Sequence, residues 1–159
     1  MTDPVSKFLH KIDEVKLGPT EASTTIAGAT DVFKWIDPDL KKWGLDKLSI
    51  KNAHSVLDIN EMKKSGTFNQ LYGSIGNIHD QVLTQGQVVE FCRDNSDKLQ
   101  QGGWGTFFLI QRDDGELSVA DVLVDDSGLE VLVFQFEDDF VWHGEGTRRL
   151  VIPQLETQI

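Results

Sequence analysis

Thiol chemistry is confined to a single cysteine, Cys92. That excludes a disulfide within the chain and a zinc site built from cysteines. Histidine is almost as sparse. His10, His54, His79 and His143 are scattered, with no pair at ligand spacing, no His-Glu-x-x-His motif and no EF-hand loop. No apolar run approaches the ~20 residues needed to span a bilayer. The opening Met1-Thr2-Asp3-Pro4 lacks a basic region followed by an apolar one, so neither a signal peptide nor a membrane segment is expected, and the expected location is cytoplasmic. No Gly-x-Ser-x-Gly or catalytic-cysteine context is present. Gly102-Gly103-Trp104-Gly105 follows a predicted helix and precedes a predicted strand. That is the reverse of a phosphate cradle, so the segment reads as a turn. No cofactor is expected, and no catalytic residue can be assigned.

What the chain does hold suits one α+β domain. It has 159 residues, 39% apolar, with four Trp and nine Phe, enough to bury about two-thirds of its unfolded surface. The net charge is −11 and unevenly placed: residues 1–104 carry 14 acids and 12 Lys or Arg, residues 105–159 carry 12 acids and three Arg. An acidic C-terminal part repels phosphate backbones and anionic membranes. No direct nucleic-acid or membrane binding is expected.

Helical spacing of Val5, Phe8, Leu9, Ile12 and Val15 after Asp3-Pro4 predicts a helix over residues 3–17, stopped by Gly18-Pro19. The small, polar residues 20–30 predict a linker from which that helix could hinge. Two short helical pieces are expected between Thr30 and Leu45, then a loop over residues 46–54 and a short strand at Ser55–Ile59. Phe68, Leu71, Tyr72 and Ile75 predict a short helix. Thr84-Gln85-Gly86-Gln87 matches a capping box and opens a helix to about Gln101, in which Cys92 is a buried, inert side chain. Residues 31–103 are thus expected to be mainly helical.

From residue 104 to 153 the pattern changes to short strands with Asp/Gly turns: Phe107–Ile110, Leu117–Val124, Leu129–Phe136, Phe140–His143 and Arg148–Ile152. The expected architecture is N-terminal helices packed on a C-terminal antiparallel β-meander of about four to five strands. Phe107–Ile110 and Val131–Phe134 are apolar on both faces, so part of that sheet should be covered on both sides.

Candidate sites follow from the meander. Asp113 and Asp114 should lie near Asp138 and Asp139 at one end, and Asp125 and Asp126 near His143 and Glu145 at the other. Either group could hold a cation through carboxylates, although Asp also simply suits turns. The segment Val141-Trp142-His143-Gly144-Glu145-Gly146-Thr147-Arg148-Arg149 joins an aromatic, a histidine, an acid and two adjacent arginines. Trp142, His143, Glu145, Arg148 and Arg149 are therefore the candidate binding residues, the arginines as bidentate holders of an anion.

Asp31-Val32-Phe33, Trp43-Gly44, Leu83-Thr84-Gln85, Phe91-Cys92, Thr106-Phe107-Phe108-Leu109, Val141-Trp142 and Val151-Ile152-Pro153-Gln154 resemble strings in a family of uncharacterised small bacterial proteins. That resemblance implies a bacterial, cytosolic setting and no particular mechanism. The functional expectation is a non-catalytic, acidic interaction module with a basic protein partner or a second copy of itself. One alternative is a small-molecule or metal-dependent enzyme at the Asp125, His143 and Glu145 end, with Arg148 holding an anionic substrate. Another is a DNA mimic that occupies a nucleic-acid-binding protein.

Overall fold

A computed structural model describes residues 7–21, 23–46, 55–144 and 148–154. Among these residues seven strands, β1 (Leu9–Leu17), β2 (Phe33–Ile36), β3 (Ser55–Met62), β4 (Thr106–Gln111), β5 (Leu117–Asp125), β6 (Gly128–Gln135) and β7 (Arg149–Pro153), form one sheet in the order β1-β3-β7-β4-β5-β6-β2. β4, β5 and β6 are joined by hairpins and pair antiparallel, as do β1 with β3 and β3 with β7. β7 runs parallel to β4, and β2 parallel to β6. The sheet is therefore mixed and takes three strands from the first 62 residues. This corrects the expectation of N-terminal helices on an antiparallel meander.

The first correction has a local cause. From Leu9 onward the predicted helix is a strand (residues 3–6 lie outside the described residues). Its register passes from Lys11↔Asn60 to Asp13↔Ile59, leaving Ile12 as an extra residue on β1. One extra residue turns the following side chains to the other side of the sheet. Leu9 therefore packs with Met62 on one face, whereas Val15 and Leu17 pack with Leu57 and Ile59 on the other. A bulged strand spaces its apolar residues about three apart, which imitates a helix.

Within residues 20–30 the described apolar and polar anchors Thr20, Ile26 and Ala29 are packed rather than free. Thr20 is 3% exposed, Ile26 0% and Ala29 5%. The Ile26 N–H donates to Gln85 Oε1 at 2.9 Å, and a Cβ on Gly86 would meet the Thr20 Cβ at 2.9 Å. The small residues that resembled a linker permit this close approach. Of the two helical pieces expected between Thr30 and Leu45, the second is a single helical turn, α1 (Asp39–Lys42), but the first is β2 instead. One carboxylate secures both: Asp37 Oδ1 accepts from the Asp39 N–H, and Oδ2 from the Val133 N–H of β6. The loop expected over residues 46–54 lies almost wholly outside the described residues.

Capping boxes open the two longer helices, α2 (Phe68–Gly73) at Thr67 and α3 (Gln85–Asp94) at Thr84. Each threonine accepts the N–H of the glutamine three residues on, whose side chain reaches back. α3 ends at Asp94, earlier than expected, because Asn95-Ser96-Asp97 turns the chain.

α3, with Ile26, Ala29 and Phe33, covers one face of the sheet, packing Val88, Phe91 and Cys92 against Phe108, Ile110 and Val131. α2 and Trp142 cover the second, packing Phe68, Leu71 and Tyr72 against Phe107, Leu109, Val119 and Leu150. This two-sided cover is why β4 reads apolar without alternation. Between the helices the chain passes from one face to the other at Leu83, whose N–H donates to Leu109 O at 2.8 Å. That carbonyl lies just past Thr106–Phe108, where β7 pairs.

Phe140–His143, expected as a strand beside β6, makes only an isolated bridge between Trp142 and Gly66. Trp142 turns inward instead, with ring centroids 5.0 Å from Phe107, 5.1 Å from Phe134 and 5.3 Å from Phe68. The chain thereby crosses the second face and delivers β7 to the middle of the sheet.

Candidate functional site

The second face holds the least expected chemistry. Phe107 in β4 pairs with Asp121 in β5 and with Leu150 in β7, so Asp121 projects into the apolar layer with them. It is 5% exposed, and its Oδ1 has no hydrogen-bond partner. Burial pushes its carboxyl up to about 7, against the opposing pull of Arg148. Gly105 makes the room: a Cβ there would stand 1.8 Å from Asp121 Oδ1. The Tyr72 hydroxyl is also fully buried and unpartnered. Burial, and secondarily the Asp121 charge, raises its pKa.

Arg148 connects this buried group to the surface. Its guanidinium lies 5.0 Å from the Trp104 ring and 5.0 Å from the Trp142 ring, and its Nη1 donates to His143 O at 3.2 Å. Phe140 sits edge-on to Trp142 at 4.8 Å. Trp104, Arg148, Trp142 and Phe140 thus form a continuous row. Its inner member, Trp142, is 8% exposed, while Trp104, Phe140 and neighbouring Val141 are 44%, 57% and 56% exposed.

The five candidate binding residues are therefore dispersed. Trp142 and Arg148 stand together in the row. The His143 side chain is exposed beside them, and Glu145 lies outside the described residues. Arg149 faces the opposite side of the sheet, as consecutive residues of an extended chain do. There its Nε lies 3.4 Å from Glu61 Oε2, and its Nη1 donates to Lys98 O at 2.8 Å. The two arginines do not form one anion fork.

The acidic turns are committed locally. Asp125 accepts from Lys34 at 2.5 Å and from the Ser127 N–H at 2.8 Å. The Lys34 bond first, and those of Ser127 next, hold its carboxyl well below the usual range. Asp126 follows it, exposed, on the rim of an open cleft shared with Asp31, Arg93 and Asp97. In that cleft Arg93 pairs with Asp31 at 2.9 Å. At the other end of the sheet Asp113 lies against Gly44, and Asp138 Oδ1 accepts the Phe140 N–H at 3.0 Å. Among the described residues no three His, Cys, Asp or Glu side chains converge as metal ligands. Among the described residues no helix is long and apolar enough to cross a membrane.

Sequence reasoning gave no site role to Asp121, Tyr72, Gly105 or Trp104. One signal was present: Asp121 is the single charge within the otherwise apolar run Val119–Val124. An acid at such a position has to be buried on one face or the other.

No protein-family model matches the chain, and no curated protein or solved structure matches it either. Its functional reading rests on its own residues.

Proposed function

We propose that this protein is a non-catalytic interaction module whose contact surface is the row Trp104–Arg148–Trp142–Phe140. The observation that carries this reading is the Arg148 guanidinium held between two indoles, with Trp104 and Phe140 open to solvent on either side. Aromatic residues and arginine dominate the energetics of protein interfaces. A row anchored through Trp142 in the core is also already ordered, which lowers the entropic cost of docking.

Two observations weigh against a catalytic reading. Asp125, the acid proposed for an enzyme site, is engaged by Lys34 and Ser127. Asp121, whose carboxyl is poised nearest to neutrality, lies beneath the sheet's apolar cover at 5% exposure.

The test compares the native protein with Trp104→Ala/Phe140→Ser, checked for native circular dichroism, as baits at low salt and in sedimentation experiments. A specific partner, or self-association, that the double variant loses is the expected result. A native protein that is strictly monomeric and retains nothing would refute the proposal.

A further inference from the structure

Taking the row as a contact surface, which is the reading above, we infer that its partner is a short acidic peptide segment bearing aromatic side chains. The inference comes from a cluster of positive charge on one rim that makes no ion pair among the described residues. The registers Leu9↔Met62, Glu61↔Arg149 and Arg149↔Thr106 bring the start of β1, the end of β3 and the starts of β7 and β4 to one rim of the sheet. Backbone bonds tie that rim together. The Met62 N–H donates to Arg148 O at 2.9 Å and the Lys63 N–H to Phe8 O at 2.7 Å. The Gly144 N–H donates to Ser65 Oγ at 3.0 Å.

Lys7, Lys63 and Lys64 therefore share the rim with Arg148 and the exposed aromatics. All three lysines are exposed. Among the described residues neither they nor Arg148 makes an ion pair. Of the other described cations, Lys11, Lys34, Lys42, Arg93, Lys98, Arg112 and Arg149 each have a carboxylate within 4.0 Å, while Lys16 in β1 and Lys41 in α1 stand singly without one. With 26 acids to 15 Lys and Arg in the chain, carboxylates are in surplus, yet four cations cluster on one rim with no ion pair among the described residues. Glu61, at the end of β3, pairs with Arg149, and Asp121 is buried. Lys64 also stands 5.5 Å from the Phe8 ring, so aromatic and cationic groups alternate along the rim.

Such a surface complements carboxylates interspersed with aromatic rings. Rings can stack on Trp104, and carboxylates can pair with the lysines and displace only water. The net charge of −11 sets the size of the partner. A long polyanion such as a nucleic acid would feel the repulsion of the whole molecule, whereas a short segment confined to the rim would feel mainly the local cations.

The test is fluorescence anisotropy with the full chain at low and at physiological salt. The probe is a labelled peptide of about ten residues, Asp and Glu with two Trp. Comparison probes are the same peptide with Lys in place of the acids, and a single-stranded oligo-dT of similar length. The expected result is saturable binding of the acidic peptide that weakens with salt. It should weaken at least about tenfold in Lys63→Glu/Lys64→Glu, a pair exposed enough to leave the fold intact, and similarly in Trp104→Ala. Equal binding by the charge-reversed variant overturns the inference, as does a preference for the lysine peptide. Tighter binding of oligo-dT overturns it in favour of nucleic acid. If the lysine peptide binds and Trp104→Ala abolishes that binding, the interaction surface stands and only its acidic partner falls. If no probe binds and the native protein is a partnerless monomer, both fall.

Discussion

The carboxylate of Asp121 occupies the space that a side chain at Gly105 would fill, with Oδ1 1.8 Å from the position of the missing Cβ. The glycine before β4 and the aspartate in β5 are therefore one structural unit. Gly105→Ala should displace the carboxylate into the Phe107 layer and cost about 1–3 kcal/mol, as overpacking does. Adding Asp121→Ala should recover part of the loss. Urea denaturation of both single variants and the double variant measures the coupling; strictly additive losses would show that the two positions are independent.

Asp121 also sets a pH dependence. Its carboxyl is raised from 3.8 to about 7 by burial, with Arg148 working against the rise. A raised carboxyl pKa means that the folded state holds the proton more tightly than the unfolded one. The resulting stabilisation is complete below about pH 4 and is lost as pH rises through about 7, an effect of the order of a few kcal/mol. Asp125 acts in the opposite sense, but its pKa is lowered, so its contribution is lost only as pH falls below about 4. The windows do not overlap. Asp121→Asn should thus match the native protein near pH 4.5 and exceed its Tm at pH 8. Thermal melts at the two pH values decide it, and equal pH slopes for both proteins would count against a buried, protonatable Asp121.

Arg148 should report on the same group. Arg148→Met keeps a long apolar stem but removes the charge that counteracts burial, so the Asp121 titration should move to higher pH. The stacked guanidinium should also cost about 0.5–2 kcal/mol on removal. Carboxyl chemical shifts followed by NMR against pH give the first quantity, and denaturation gives the second. An unchanged Asp121 titration would mean that the arginine does not reach it electrostatically.

Cys92, 2% exposed in α3, has its thiol pKa raised by burial. In native buffer a disulfide reagent should label it only as fast as the chain opens, and stoichiometrically in denaturant. Fast labelling of the folded protein would contradict the packing of α3 on Phe108.

Gln85 holds residues 20–30 in place through Ile26, a residue with no exposed surface. Gln85→Leu leaves the Ile26 N–H unsatisfied and should cost about 1–3 kcal/mol. Limited proteolysis should then cut first within residues 20–30. A variant with native stability and an unchanged digestion pattern would show that the segment is held by other contacts.

Features that depend on near neighbours along the chain are legible in the residues themselves. The capping box at Thr84, the Phe68 helix and the hairpin turns between β4, β5 and β6 arise from bonds within a few residues, and their residue types announce them. In the candidate site, Trp142 and Arg148 stand together in space as well as in sequence. Arg149 shares only the sequence neighbourhood, because strand geometry sends it to the other face.

The sequence by itself determined the hairpin turns between β4, β5 and β6, the helix starts of α2 and α3, that β4 is buried on both faces, and that the charge is lopsided. Tertiary structure decided the rest. Ile12 became a bulge because β3 pairs with β1 on both sides of it. β2 became a strand because β6 offered an edge. The aromatic and cationic rim exists because β7 enters between β3 and β4, bringing Arg148 to the lysines that follow β3. These outcomes depend on pairings between residues up to about a hundred positions apart. Their energies lie in ladders and packed layers that no local pattern encodes.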